Sequence, residues 1–130
     1  MGVLLIFIGA MHSLSHPFGA VLNTQHGLTN AIVMPYVLQR NRKAIEDRAI
    51  DLARFLNLAN PSLDSLLAWV IELREQVSIP NTLVEIGIEE NHIDELSKMA
   101  TVDPIIGGNP IPLDVNDMAA LYHNAISGKL

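Results

Sequence analysis

The sequence predicts an all-α domain, on three observations. Apolar residues recur at helical spacing from residue 27 onward. No short run alternates apolar with polar residues as a half-buried strand does. Helix start signals stand at Asn60-Pro61, at Thr82 with Glu85 and at Asp114.

Residues 1–11, MGVLLIFIGAM, are apolar but too short to span a bilayer, and they lack the basic start of a secretory signal. A cytoplasmic protein is expected. Gly27 to about Arg40 is apolar on most sides, through Leu28, Ala31, Ile32, Val33, Tyr36, Val37 and Leu38, which predicts a central buried helix that Pro35 kinks or interrupts. Lys43 to Leu56 places Ile45, Ala49, Leu52, Ala53 and Leu56 on one face, with Glu46, Asp47 and Arg54 toward solvent. Asn60-Pro61 supplies an N-cap and a first-turn proline for a helix with a buried stripe of Leu63, Leu66, Leu67, Val70, Ile71 and Val77, stopped by Ile79-Pro80.

Thr82 and Glu85 fit a capping box over a brief turn that ends at Gly87, and a further helix is expected from about Glu89 to Ala100. Asp114 caps the last helix, which carries Met118, Leu121, Tyr122 and Ile126 and stops before Gly128. Between these two helices runs TVDPIIGGNPIPLD, rich in proline and glycine and long for a connector, the kind of loop that lines a site.

A length of 130 residues suits one domain, residues 1–130. With 8 Lys+Arg against 14 Asp+Glu, a formal charge of −6, no basic stripe exists to neutralise phosphates, so nucleic acid is not an expected partner and neither is a membrane. The absence of cysteine rules out disulfides, thiolate metal sites and thiol nucleophiles, so any metal must take nitrogen and oxygen ligands. A hydrophobic fraction of 49% in so small a chain predicts an apolar face that meets a partner, by self-association or by docking to another domain.

Three of the five histidines fall within MHSLSHPFGAVLNTQHGLTN, residues 11–30. His12 and His16 stand at i and i+4, so on a helix their imidazoles share a face and can approach one ion. His26 lies beyond Pro17 and Gly19, a spacing that lets the chain turn and bring a third imidazole back. On spacing alone, ordinary core and helix-end histidines explain the trio about equally well. His92 and His123 read as structural.

The order of residues says more. HSLSHPFGAVLNTQHGLTNAIVMPYVL resembles the metal-binding segment of the iron-containing alcohol dehydrogenase family, with H-x-x-x-H-P-x-G-A followed by H-G and then N-A-I-x-x-P. GGNPIP, residues 107–112, is similar to the family's late G-N-P segment. The likeness runs from about Gly9 to Leu130 and leaves residues 1–8 unmatched. Two readings of that apolar opening stay open: a truncated or frame-shifted gene start, or a helix that packs where another domain docks.

The resemblance implies the helical C-terminal domain of a dehydroquinate synthase-like fold, separated from the α/β domain that binds NAD(P). It implies that His12 and His26 ligate a divalent metal, Fe²⁺ before Zn²⁺, and that His16 lies beside the nicotinamide as a catalytic residue that helps move a proton. The activity implied is hydride transfer between a small alcohol or aldehyde and NAD(P). The aspartate and further histidine that complete the family's metal site come earlier in its chain and are not found here, so two imidazoles without a carboxylate should bind metal weakly and the isolated chain should be inactive. Gly107-Gly108 lacks the G-x-G-x-x-G form and follows no strand, so no NAD site is expected in these residues. The competing expectation is a stand-alone helical interaction module whose histidines are structural.

Overall fold

The computed structural model describes the backbone of residues 2–22 and 25–130, and the side chains from Ala10 onward except at positions 21, 23 and 24. Six helices follow in order: α1 Gly2–Leu22, α2 His26–Arg40, α3 Arg42–Phe55, α4 Leu63–Gln76, α5 Ile93–Val102 and α6 Val115–Ser127. Three short 3₁₀ turns, Leu83–Ile86, Glu90–His92 and Pro104–Gly108, connect the later ones. Among the described residues there is no strand, and the domain is all-α.

The apolar spacing of these helices resolves into two clusters. In the first, Met11, Leu14 and Phe18 of α1 meet Ile32, Val33, Tyr36 and Val37 of α2, Leu96 and Ala100 of α5, and Met118, Leu121 and Tyr122 of α6. The Phe18 and Tyr122 rings lie edge to face with centroids 5.3 Å apart. The second cluster joins Leu38 at the end of α2 to Ile45 and Ala49 of α3 and to Leu63, Leu66, Leu67 and Val70 of α4. Met34 touches both, so α2 is the shared wall.

Local chemistry sets most boundaries as expected. Thr82 and Glu85 form their reciprocal box, with Gly87 in the left-handed region at φ 88. Asp114 caps α6 with Asp117 returning the bond, and Gly128 closes it at φ 78. A single residue, Asn41, separates α2 from α3.

Four expectations are corrected. Pro35 does not interrupt α2, which is continuous from His26 to Arg40. The missing N–H removes the helical bond to the Ala31 carbonyl, but α2 is gripped by both clusters, and separately the buried Arg74 guanidinium donates to the Ile32 carbonyl at 3.4 Å. The N-cap of α4 is Ser62 rather than Asn60: Ser62 Oγ accepts the Ser65 N–H at 3.0 Å, while Asn60 takes a left-handed turn conformation at φ 50 that asparagine tolerates. Val77 lies past the last turn of α4 and is 59% exposed, so it leaves the buried stripe. The helix expected from Glu89 opens instead as a 3₁₀ turn before α5 begins at Ile93.

The first histidines lie on a longer helix than their own segment announced. α1 runs through Pro17 to Leu22, and α2 folds back along it after a short connection. No helix among the described residues is long and apolar enough to cross a membrane. How the side chains of residues 1–9 pack lies outside the described residues.

Candidate metal centre

Helix α1 carries His12 and His16 one turn apart, and α2 begins with His26, so the α1–α2 hairpin brings the three imidazoles together. Ring centroids are 6.2 Å apart for His12 and His16, 5.3 Å for His12 and His26, and 5.0 Å for His16 and His26. The last pair is stacked, its planes 19° apart. His12 is half-buried, while His16 and His26 lie at the exposed rim.

Each ring has a distinct environment. Nδ1 of His12 is buried without a hydrogen-bond partner. Asn30, one turn after His26, places its side-chain nitrogen 3.0 Å from His26 Nε2, and Ser15 Oγ contacts Asn30 Oδ1 at 2.5 Å, so a polar chain runs from α1 to the His26 ring. Burial, followed by the neighbouring His16 and His12, holds His26 below the ordinary imidazole range. His16 Nδ1 lies 2.7 Å from Asp103 Oδ2, a carboxylate brought from the loop after α5.

That loop is pinned by its asparagine. Asn109 Oδ1 accepts the Ala10 N–H of α1 at 3.2 Å, and its amide pairs reciprocally with that of the buried Asn41, at 2.8 and 3.0 Å. Asn109 also donates to the Ile111 carbonyl at 2.8 Å. The G-N-P segment therefore ties the loop to α1 and to the α2–α3 corner, and so presents Asp103 to the histidines.

His92 and His123 stand apart from the trio. Nδ1 of His92 accepts the Glu89 N–H at 3.1 Å, and His123 pairs with Glu90 at 2.7 Å.

Asp103, Asn30 and Ser15 were not singled out from the sequence as site residues. The signals were present but generic: Asp103-Pro104 is a cap for a short turn, with Asp103 Oδ1 accepting the Ile105 N–H at 2.8 Å, and Asn30 is at i+4 from His26.

The donor chemistry fits part of an iron site. Two imidazoles lie close together, and Nδ1 of His12 is buried with no protein partner, a donor set that suits a divalent ion in part. Among the described residues, no group of three or more His, Asp or Glu side chains is arranged to hold an ion.

A family model described as Fe-containing alcohol dehydrogenase family, C-terminal, matches residues 1–126, the apolar opening included. The chain belongs to the iron-containing alcohol dehydrogenase family. It is 37% identical over 123 residues to the NADPH-dependent butanol dehydrogenase of Clostridium saccharobutylicum, covering 88% of this chain and 32% of that one. With the lactaldehyde reductase of Escherichia coli K12 it shares 31% identity over 131 residues, covering 96% and 34%. Among solved structures, the iron-containing alcohol dehydrogenase of Thermococcus thioreducens superimposes with a TM-score of 0.81 at 28% identity, over 92% of this chain and 32% of that one. A 1,3-propanediol oxidoreductase shares the fold at a TM-score of 0.86 and 24% identity, over 91% and 32%. The chain thus spans about a third of the length of these relatives.

Proposed function

We propose that residues 1–130 form a single metal-binding domain of a metal-dependent alcohol dehydrogenase, which transfers hydride between a small alcohol or aldehyde and NAD(P), and that this chain is inactive alone. The carrying observation is the convergence of His12, His16 and His26 to centroid separations of 5.0–6.2 Å from two different helices. His12 and His26 are the metal ligands, for Fe²⁺ before Zn²⁺, and His16 is the catalytic histidine beside the nicotinamide. The metal, when bound, supplies Lewis acidity toward the substrate oxygen.

The chain's own residues position the rest. Asn30, tied to Ser15 through its Oδ1, meets the His26 ring with its amide nitrogen at Nε2, so ligation by His26 requires that amide to release the ring or to turn its oxygen toward it. The exposed face of His16 meets substrate and helps carry its proton, a role open to imidazole because each of its two ring nitrogens can donate or accept. Two imidazoles lack the anionic charge that retains Fe²⁺, and the nucleotide must be held elsewhere, so a nucleotide-binding domain docked to this one completes the site. The compartment is cytoplasmic.

Mixing the chain with a separately produced nucleotide-binding half, Fe²⁺ and NAD(P) tests this reading. Alcohol-dependent reduction of the nucleotide is expected, and its loss in His12→Ala and His26→Ala should follow. A reconstituted pair as active with both substitutions as without them overturns the assignment.

The second reading, a stand-alone interaction module with structural histidines, draws on an open apolar groove of about 480 Å³ between α2, α3 and α4, lined by Met34, Leu52, Leu66, Trp69, Leu73 and Val77, with Phe55 on α3 83% exposed. It predicts self-association independent of metal, read by size-exclusion chromatography with and without chelator.

A further inference from the structure

Asp103 is separated from His16 by 87 positions in sequence, and each of its oxygens has its own task. Oδ1 accepts the Ile105 N–H at 2.8 Å and closes the cap of the 104–108 turn. Oδ2 meets His16 Nδ1 at 2.7 Å. An ionised carboxylate has no proton to donate, so the hydrogen in that contact belongs to Nδ1. A neutral His16 is then the Nδ1–H tautomer, and its lone pair sits on Nε2, the nitrogen away from Asp103.

The surroundings make this choice hard to undo. The Asp103 side chain is 14% exposed and held through its own turn, and that turn is held in place by Asn109. The His16 ring is stacked on His26, so rotating it to present the other nitrogen gives up both the stack and a charge-assisted hydrogen bond.

We infer that Asp103 is a positioning residue: by fixing the tautomer of His16 it leaves Nε2 of that partly exposed ring as the hydrogen-bond acceptor, suited to the hydroxyl of an alcohol. This rests on the dehydrogenase reading only for the identity of the molecule met by Nε2. The tautomer itself is a property of the chain.

The test is long-range ¹⁵N–¹H imidazole NMR on the full chain, at a pH where imidazole is neutral. The wild type should show His16 as Nδ1–H. In Asp103→Asn the amide oxygen keeps the Ile105 cap, because the amide nitrogen would oppose a donor there. The NH₂ then faces Nδ1, demands a lone pair on it and drives the proton to Nε2. Inversion of the His16 tautomer is expected, with the Ile105 amide resonance in place as proof that the turn survives. Asp103→Ala, which removes both contacts, should also lose the Nδ1–H form. Retention of Nδ1–H in either variant, or an Nε2–H wild type, overturns the inference. None of these outcomes bears on the dehydrogenase reading, which the reconstitution tests separately.

Discussion

On the α3–α4 side of the molecule, Leu38, Ile45, Ala49, Leu63 and Leu66 close an apolar cluster, and the capping polar groups are satisfied within their own turn, as in the Ser62–Ser65 box. On the α1 side a larger apolar cluster is threaded by polar ties between distant segments: Tyr122 donates to the Leu14 carbonyl at 2.8 Å, Asn109 bridges Ala10 and Asn41, and Asp103 meets His16. Burial pushes the Tyr122 hydroxyl strongly up in pKa, so it stays a neutral donor. The first region is held chiefly by non-directional burial, which sets how tightly helices pack, with Arg74 of α4 reaching the Ile32 carbonyl and Arg42 of α3 the Asp64 carboxylate as its ties between elements. The second adds directional bonds, which set where a side chain points. The three histidines whose rings converge lie in the second.

The largest expected effects test that division directly. Phe18→Ala empties a fully buried site between α1 and α6 and should cost about 3–5 kcal/mol in urea unfolding, while also shifting the imidazole resonances of His12, His16 and His26. Leu66→Ala in the other cluster should cost about 2–5 kcal/mol and leave those resonances where they are. Movement of the imidazole signals in Leu66→Ala would show that the two regions are not separable.

A smaller effect is expected for Asn109→Ala, which strands the buried Asn41 amide and releases the Ala10 N–H. It should cost about 1–3 kcal/mol and speed hydrogen exchange through the 104–108 turn, with exchange in α4 unchanged. Gly128→Ala places a Cβ 3.2 Å from Thr82 Cγ2 at a φ of 78, for a loss of about 1–2 kcal/mol without change at the histidines.

The smallest concerns acid. The Asp114 backbone N–H, and then Arg40, hold the Asp117 carboxyl below the usual range, so its folded pKa lies under the unfolded value. The stability this contributes is complete above the unfolded pKa, about 3.9, and is lost as pH falls through the folded value. Arg40→Met should therefore shallow the acid limb of the stability profile below about pH 4, measured by urea unfolding across pH.

Much of the architecture was legible because its causes are local. The helix over 26–40, the one over 42–55, the box at Thr82 and Glu85 and the stop at Gly128 follow from spacing and from caps that act within one turn. The site was half legible: i and i+4 on α1 put His12 and His16 on one face, and the ordered motif added His26. Two expectations failed for want of the packed context: Pro35 reads as a break until both clusters are seen to grip α2, and Val77 reads as core until the end of α4 is seen to leave it in water.

The linear order of residues determined the helices, the family and the identity of the three imidazoles, since helical period, capping and motif order are properties of neighbours along the chain. Only the tertiary structure decided that Asp103 faces His16, that Asn109 is the pin that puts it there, and that Asn30 occupies the His26 nitrogen. The reason is physical: a hydrogen bond is set by distances of a few tenths of an ångström between groups many residues apart, and no local pattern encodes those until the helices have packed.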